Sequence, residues 1–165
     1  MTVGMVPMDE IKKFLDKTKD ISIGYRDMSF FKSNVLTEEQ KGYNVDSANR
    51  SLVTGKEGDW REEWIVIGST ELGDPLFVDT SSKELRVMTA MHGEGQWDPS
   101  IIAESLAIFS KTLDDLRRLS KKRSNPLELE RNPISDKERG SFMYNVRERN
   151  KEIDFDYWEM LLESE

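Results

Sequence analysis

His92 is the only histidine in the chain and cysteine is absent, so a multi-histidine metal centre, thiolate ligation, thiol catalysis and disulfide stapling are excluded at once. The run His92-Gly93-Glu94-Gly95 imitates a fragment of a hydrolytic loop. It brings no accompanying nucleophile and no ligand spacing, and it reads more simply as a turn with a structural histidine. Asp74 and Asp79 stand at the two ends of one short apolar run, and a glycosidic acid–base pair would need a defined carboxylate separation across a substrate bond. Turn contexts explain both residues with less: Asp74 is placed to accept local amide hydrogen bonds, and Asp79 to begin the polar reversal toward Lys83. Gly93 and Gly95 make no dinucleotide fingerprint, since no GxGxxG joins a strand to a helix. The sequence therefore predicts no catalytic residue, no metal ligand and no cofactor, and function must be sought in surface charge and fold.

With 32 acidic and 24 basic side chains the chain has a formal charge of -8, which repels a phosphate backbone and attracts a basic protein partner. The one basic concentration is Arg117-Arg118-Leu119-Ser120-Lys121-Lys122-Arg123. It lacks interleaved aromatics that could stack bases and reads as the solvated end of a helix, where cations suit the negative terminus, so no direct nucleic-acid partner is expected. A length of 165 residues fits one domain over 1–165, enough chain to bury roughly two thirds of its unfolded surface. The start, MTVGMVPMDEIKKF, has no basic leader, and no segment approaches the run of about 18 apolar residues that spans a bilayer. A cytoplasmic protein without a membrane segment is the expectation.

The elements that would position these residues can be read from apolar spacing. Ile11, Phe14 and Leu15 put a narrow stripe on a short helix behind Pro7, with Asp9 and Glu10 near its N-terminus and its end near Lys19. Ile21 to Tyr25 alternates as a strand does, with a further apolar cluster at Met28, Phe30 and Phe31. From Leu36 to Gly58 the composition is that of a long loop, apart from Tyr43 and Val45. Trp64-Ile65-Val66-Ile67 predicts a central strand, Leu76-Phe77-Val78-Asp79 the next, and Leu85-Arg86-Val87-Met88 the third of an antiparallel meander. Trp60, Trp64 and Trp97 flank this sheet and can cover its edge or face. Asp98 as N-cap and Pro99 as first helical residue predict a long helix whose stripe is Ile102, Leu106, Phe109, Leu113 and Leu116. Asn125-Pro126 and Asn132-Pro133 read as interruptions of order, followed by a second amphipathic helix around Phe142 and Val146. The acidic, aromatic tail from Ile153 to Leu162, with Trp158 as its anchor, reads as a docked terminal helix or as an interaction surface.

Residues 60–119 carry a resemblance. Trp64-Ile65-Val66-Ile67-Gly68, Gly73-Asp74-Pro75-Leu76-Phe77-Val78-Asp79, Val87, His92-Gly93 and the helix through Ala103-Glu104-Ser105-Leu106-Ala107-Ile108-Phe109 together resemble the SUKH superfamily. That family contains bacterial toxin-immunity proteins and fungal cell-wall synthesis regulators. The flanking segments match it less clearly, the family's proline-led first helix being represented only by Pro7 and the residues after it. The resemblance implies an α+β fold with a mixed, mostly antiparallel sheet packed by helices, and a binding role without catalysis. It also implies structural duties for Trp64, Gly68, Gly73, Asp74, Asp79 and Phe109: the glycines and Asp74 shape the sheet-to-loop corner, Asp79 anchors the next turn, and Trp64 packs nearby.

The functional expectation is thus an immunity protein that binds and neutralises a cognate bacterial toxin, a cationic nuclease being the kind its charge would suit. The alternative of another class is a non-enzymatic intracellular regulatory or scaffold protein using the same domain. Contacts to a toxin are expected on the acidic exterior. Glu57, Asp59, Glu62, Glu63 and Glu71 flank the first central strand, Glu94 and Asp98 follow the third, and a fold that brought both groups to one rim would make them a steering surface.

Overall fold

Trp64-Ile65-Val66-Ile67 and Leu76-Phe77-Val78 are apolar at every position, a pattern that suits strands buried on both faces. The computed structural model, which describes residues 5–163, places them at the middle of a six-stranded sheet. In chain order the elements are α1 (Met5–Lys17), β1 (Ile21–Ile23), β2 (Arg26–Phe30), β3 (Trp64–Thr70), β4 (Pro75–Asp79), β5 (Arg86–Thr89), β6 (Ser100–Ala103), α2 (Leu106–Ser120), α3 (Pro126–Arg131), α4 (Asp136–Arg149) and α5 (Phe155–Leu161). The strands lie side by side in sequence order and each neighbouring pair is antiparallel. Helices cover one face, so the fold is α+β with an antiparallel sheet. The meander expected from three strands is extended by the β1–β2 hairpin on one side and β6 on the other.

Alternation along the strands sorts two cores. Ile65, Ile67, Leu76, Val78 and Val87 face the helices and join Phe14, Phe109, Leu113, Phe142 and Trp158. Trp64, Val66 and Phe77 face the opposite way and join Trp60 and Ala90 in a second, aromatic cluster to which, among the described residues, no α-helix contributes. Both faces of the central hairpin are therefore dry, but by different means.

Two local devices hold the first strands in place. The β3–β4 register shifts between Val66 and Gly68, and a Cβ at Gly68 would lie 2.1 Å from the Ser29 carbonyl oxygen of β2. Only glycine admits so close a backbone approach. Past the end of β2, the buried side-chain amide of Gln40 takes the part of a strand. Its Oε1 accepts from the Val66 N–H (2.8 Å), while its Nε2 donates to the carbonyls of Val66 (2.8 Å) and Leu36 (2.9 Å).

Three expectations need correction. Asp98 and Pro99 do not begin the long helix: Ser100–Ala103 is β6, paired with β5, and α2 starts at Leu106 behind Ser105, whose hydroxyl accepts from the Ile108 N–H at 3.0 Å. Ile102 fits the helical spacing only by coincidence; strand pairing and its burial outweigh the local cap signal. Asn125-Pro126 initiates order, since Asn125 caps α3 and Pro126 opens it. The basic run is not a solvated helix end throughout. Arg123 is 6% exposed, donates to the carbonyls of Leu119 and Asn132 and pairs with Glu138 at 3.0 Å, while Arg117 reaches the Lys19 carbonyl.

The tail docks. Trp158 is fully buried, its indole N–H donates to the Ile102 carbonyl at 2.8 Å, and the Asp154 N–H donates to the Ile101 carbonyl at 2.7 Å.

Replacing Phe109 or Trp64 with Ala should each cost about 3–5 kcal/mol, the range for truncating a buried large aromatic. Gly68→Ala should cost about 1–3 kcal/mol through forced separation of β2 and β3. Equilibrium denaturation measures all three, and wild-type stability in any of them contradicts the packing described.

Candidate functional site

The face of the sheet without helices is covered by two loops, residues 41–63 before β3 and 90–99 between β5 and β6. Trp60 joins them. It is 2% exposed, and its ring lies 4.9 Å from Phe77 and 5.1 Å from Trp64 on the sheet side, and 5.2 Å from Tyr43 and 5.3 Å from Trp97 on the loop side. The edge-to-face and tilted geometries favour such contacts beyond simple area burial. The Trp97 N–H donates to the Gly58 carbonyl at 2.7 Å. Gly58 needs to be glycine there: its φ is +90°, and a Cβ would meet that of Gln96 at 2.8 Å.

Local hydrogen bonding gives the first loop its shape. Asp46 Oδ1 accepts from the N–H groups of Ala48 and Arg50, both at 2.9 Å, and its other oxygen receives the Arg50 side chain at 2.8 Å. The Arg50 amide, with the Ala48 amide and the Arg50 side chain, holds the Asp46 carboxyl below its ordinary range. The Leu52 N–H closes the loop onto the Asn44 carbonyl at 2.8 Å. This Asx-type turn is why a polar segment can be ordered without a core of its own.

The second loop is tethered through His92. Asp74 Oδ1 accepts from the His92 N–H at 3.0 Å and lies 2.6 Å from its Nδ1. The Asp74 carboxylate therefore acts eighteen positions away in sequence and not on local amides as expected from its turn context; at its own turn the Asp74 main chain bonds with Thr70. A histidine oriented by a carboxylate is also the supporting half of a hydrolytic triad, but among the described residues no hydroxyl is hydrogen-bonded to this ring. Nor does any group of three or more His, Asp and Glu there form a metal-binding arrangement.

Between the loops lies a cleft of about 300 Å³ walled by Tyr43, Trp60, Trp97 and Leu52, with Asp59 and Glu94 among its lining residues. Behind Trp60 a smaller hollow of about 190 Å³ is lined by Asp59, Glu62 and Glu63 together with Lys56 and Arg61. Asp59 and Glu94 thus line the cleft, while Glu62 and Glu63 line the neighbouring hollow, which shares Asp59 and Trp60 with it; Glu57 is exposed in the same loop as Asp59. Two of the expected acidic residues are elsewhere. Glu71 sits at the β3–β4 turn, accepts from the Asp27 N–H at 2.9 Å and pairs with Arg26 at 3.6 Å. Asp98 is exposed ahead of β6 and lines neither hollow.

The residues associated with structure fall in turns and cores. Gly73 (φ +83°) and Asp74 form the β3–β4 corner. Asp79 Oδ1 accepts from the N–H and hydroxyl of Ser81 at 3.0 and 2.6 Å, and Oδ2 lies 3.7 Å from Arg86. Tyr43 and Gln40 lie outside the set that sequence reasoning selects for the site. Tyr43 stands out in the sequence as an aromatic in a polar stretch; Gln40 gives no sequence signal at all.

Comparison with protein-family models, curated proteins and solved structures gives no match for this chain.

Asp74→Ala should release the 91–95 loop, because it removes the acceptor of both the amide and the ring of His92. Amide exchange at His92 should accelerate and stability should fall by about 1.5–3 kcal/mol, the scale of a lost hydrogen bond to a charged group. Unchanged protection at His92 would contradict the tether.

Proposed function

We propose that this protein is an immunity protein, binding and neutralising a cognate bacterial toxin by engaging a basic surface on it, without catalysis. The observation that carries the proposal is the loop-covered face: an aromatic cleft lined by Asp59 and Glu94, beside a hollow lined by Asp59, Glu62 and Glu63, on a chain of net charge -8. The resemblance of residues 60–119 to the SUKH superfamily gives the same reading independent support. Most of those resembling residues lie in β3, β4, β5 and α2, the frame under the face, with His92-Gly93 in the second covering loop.

The mechanism is occlusion with electrostatic steering. A negative rim speeds encounter with a cationic nuclease and then sits over the basic path that would hold nucleic acid. Hydrogen bonds within the covering loops, Leu52 to Asn44 and Trp97 to Gly58, would lower the ordering cost on binding.

Co-expression with the toxin encoded by the neighbouring gene is the direct test, with rescue from killing and a complex at micromolar protein as the expected results. Glu57→Lys, Glu63→Lys and Glu94→Lys combined should slow association by about tenfold at low salt and flatten its salt dependence. Glu71→Lys, away from the rim, should change it far less, and His92→Ala should leave neutralisation largely intact. Killing that continues unchanged, with no complex formed, contradicts the proposal; so does an association rate indifferent to rim charge.

A further inference from the structure

The cleft between the two loops differs in composition from the hollow beside it. Its lining contains Asp59 and Glu94 and no lysine or arginine, whereas the hollow behind Trp60 sets Lys56 and Arg61 among its three acids. Among the described residues neither Asp59 nor Glu94 forms an ion pair: Asp59 accepts from the Thr54 hydroxyl, and Glu94 is exposed. Behind these carboxylates Tyr43, Trp60 and Trp97 form one continuous aromatic wall, with centroid separations of 5.2, 5.3 and 6.2 Å. Tyr43 and Trp97 are half-buried, so part of each ring remains open to the cleft.

We infer that this cleft is a receptor for one arginine side chain of a protein partner, the guanidinium stacking on the Tyr43–Trp97 wall while Asp59 and Glu94 take its N–H donors. The inference deepens the binding role proposed above and rests on it. Arginine is the occupant this chemistry selects: its planar cation is weakly hydrated, stacks on aromatic faces and presents donors in a fork that carboxylates match, while a lysine ammonium does the first two poorly. A volume of about 300 Å³ is at the low end for ligand pockets and suits one long side chain better than a folded segment. Burial, with the charges of Asp74 and Glu39, pushes the Tyr43 hydroxyl above its ordinary pKa, so the ring presents a neutral phenol to the cleft.

The test uses the full chain and three capped tripeptides, acetyl-Gly-X-Gly-amide with X as arginine, lysine or the neutral isostere citrulline. Titrations are followed by the indole N–H signals of Trp60 and Trp97 and by tryptophan fluorescence. The arginine peptide should bind saturably, on the order of millimolar for so small a ligand, with the citrulline peptide about tenfold weaker and the lysine peptide between them. Glu94→Gln, at an exposed position that should not affect folding, should weaken the arginine peptide about threefold and leave citrulline unchanged. Trp97→Ala, checked for native thermal unfolding, should abolish saturation.

Equal binding of arginine and citrulline, preference for lysine, indifference to Glu94→Gln, or no shift of either indole signal would each overturn the inference. Failure of the functional reading looks different. If the arginine peptide behaves as expected while the neighbouring toxin still kills, the cleft stands and the immunity role falls. If a folded Trp97→Ala protein neutralises the toxin as well as wild type, the cleft assignment falls and the immunity role stands.

Discussion

The central hairpin of β3 and β4 is apolar on both faces, and that requirement organises the rest of the molecule. One face is met in the usual way by α1, α2, α4 and α5, whose stripes close over Ile65, Ile67, Leu76 and Val78. For the other, no α-helix among the described residues contributes to the cluster, and loops exclude the water. Trp60 is what allows this: a single ring in contact with Phe77 and Trp64 below and with Tyr43 and Trp97 above. Burying an indole of roughly 150–250 Å² at about 25 cal/mol per Å² is worth about 4–6 kcal/mol before entropy is counted. That is a large share of a typical domain's net stability.

A sheet face covered by loops is also a face that can recognise a partner, and here one set of contacts serves both ends. The rings that seal Val66 and Phe77 from water are the wall of the cleft, and the turns that carry those rings carry the carboxylates. Asp74 illustrates the economy: it stabilises the β3–β4 corner, fixes the 91–95 loop through His92, and adds to the negative field at Tyr43. Charge held on ordered backbone steers and selects better than the same charge on a loose segment, because less freedom is lost on association. The acidic total thus acquires a direction in space that composition cannot express.

Much of the frame is legible in the sequence. Continuous apolar runs mark β3 and β4, and the three-four spacing of Leu106, Phe109, Leu113 and Leu116 marks the body of α2. The start of α2 is not legible, because the cap preference of Asp98 and the N1 preference of Pro99 are local, whereas the pairing of Ile101 with Met88 is tertiary and stronger. Arg123 misleads for the same reason: its charge suggests water, and Glu138, brought near by α4, supplies a partner at a buried position instead. At the site, Asp59, Glu62, Glu63 and Glu94 can be named from their position around the central strands. The meeting of Asp59 and Glu94 in one cleft cannot, since it depends on Trp97 meeting Gly58. Gln40 is invisible because a lone amide in a polar loop looks the same whether it faces water or completes a sheet.

If Trp60 secures the loop-covered face as a layer distinct from the helix-covered core, amide hydrogen exchange on Trp60→Ala compared with wild type should show it. Protection should fall selectively at the amides of Leu52, Asp59 and Trp97, whose acceptors lie within the two loops, while α2, α4 and the β1–β2 pairing keep theirs. Uniform loss across loops and helices would show one indivisible core, and unchanged protection at Trp97 would show that Trp60 does not hold the face; either result contradicts a separate layer held by this ring.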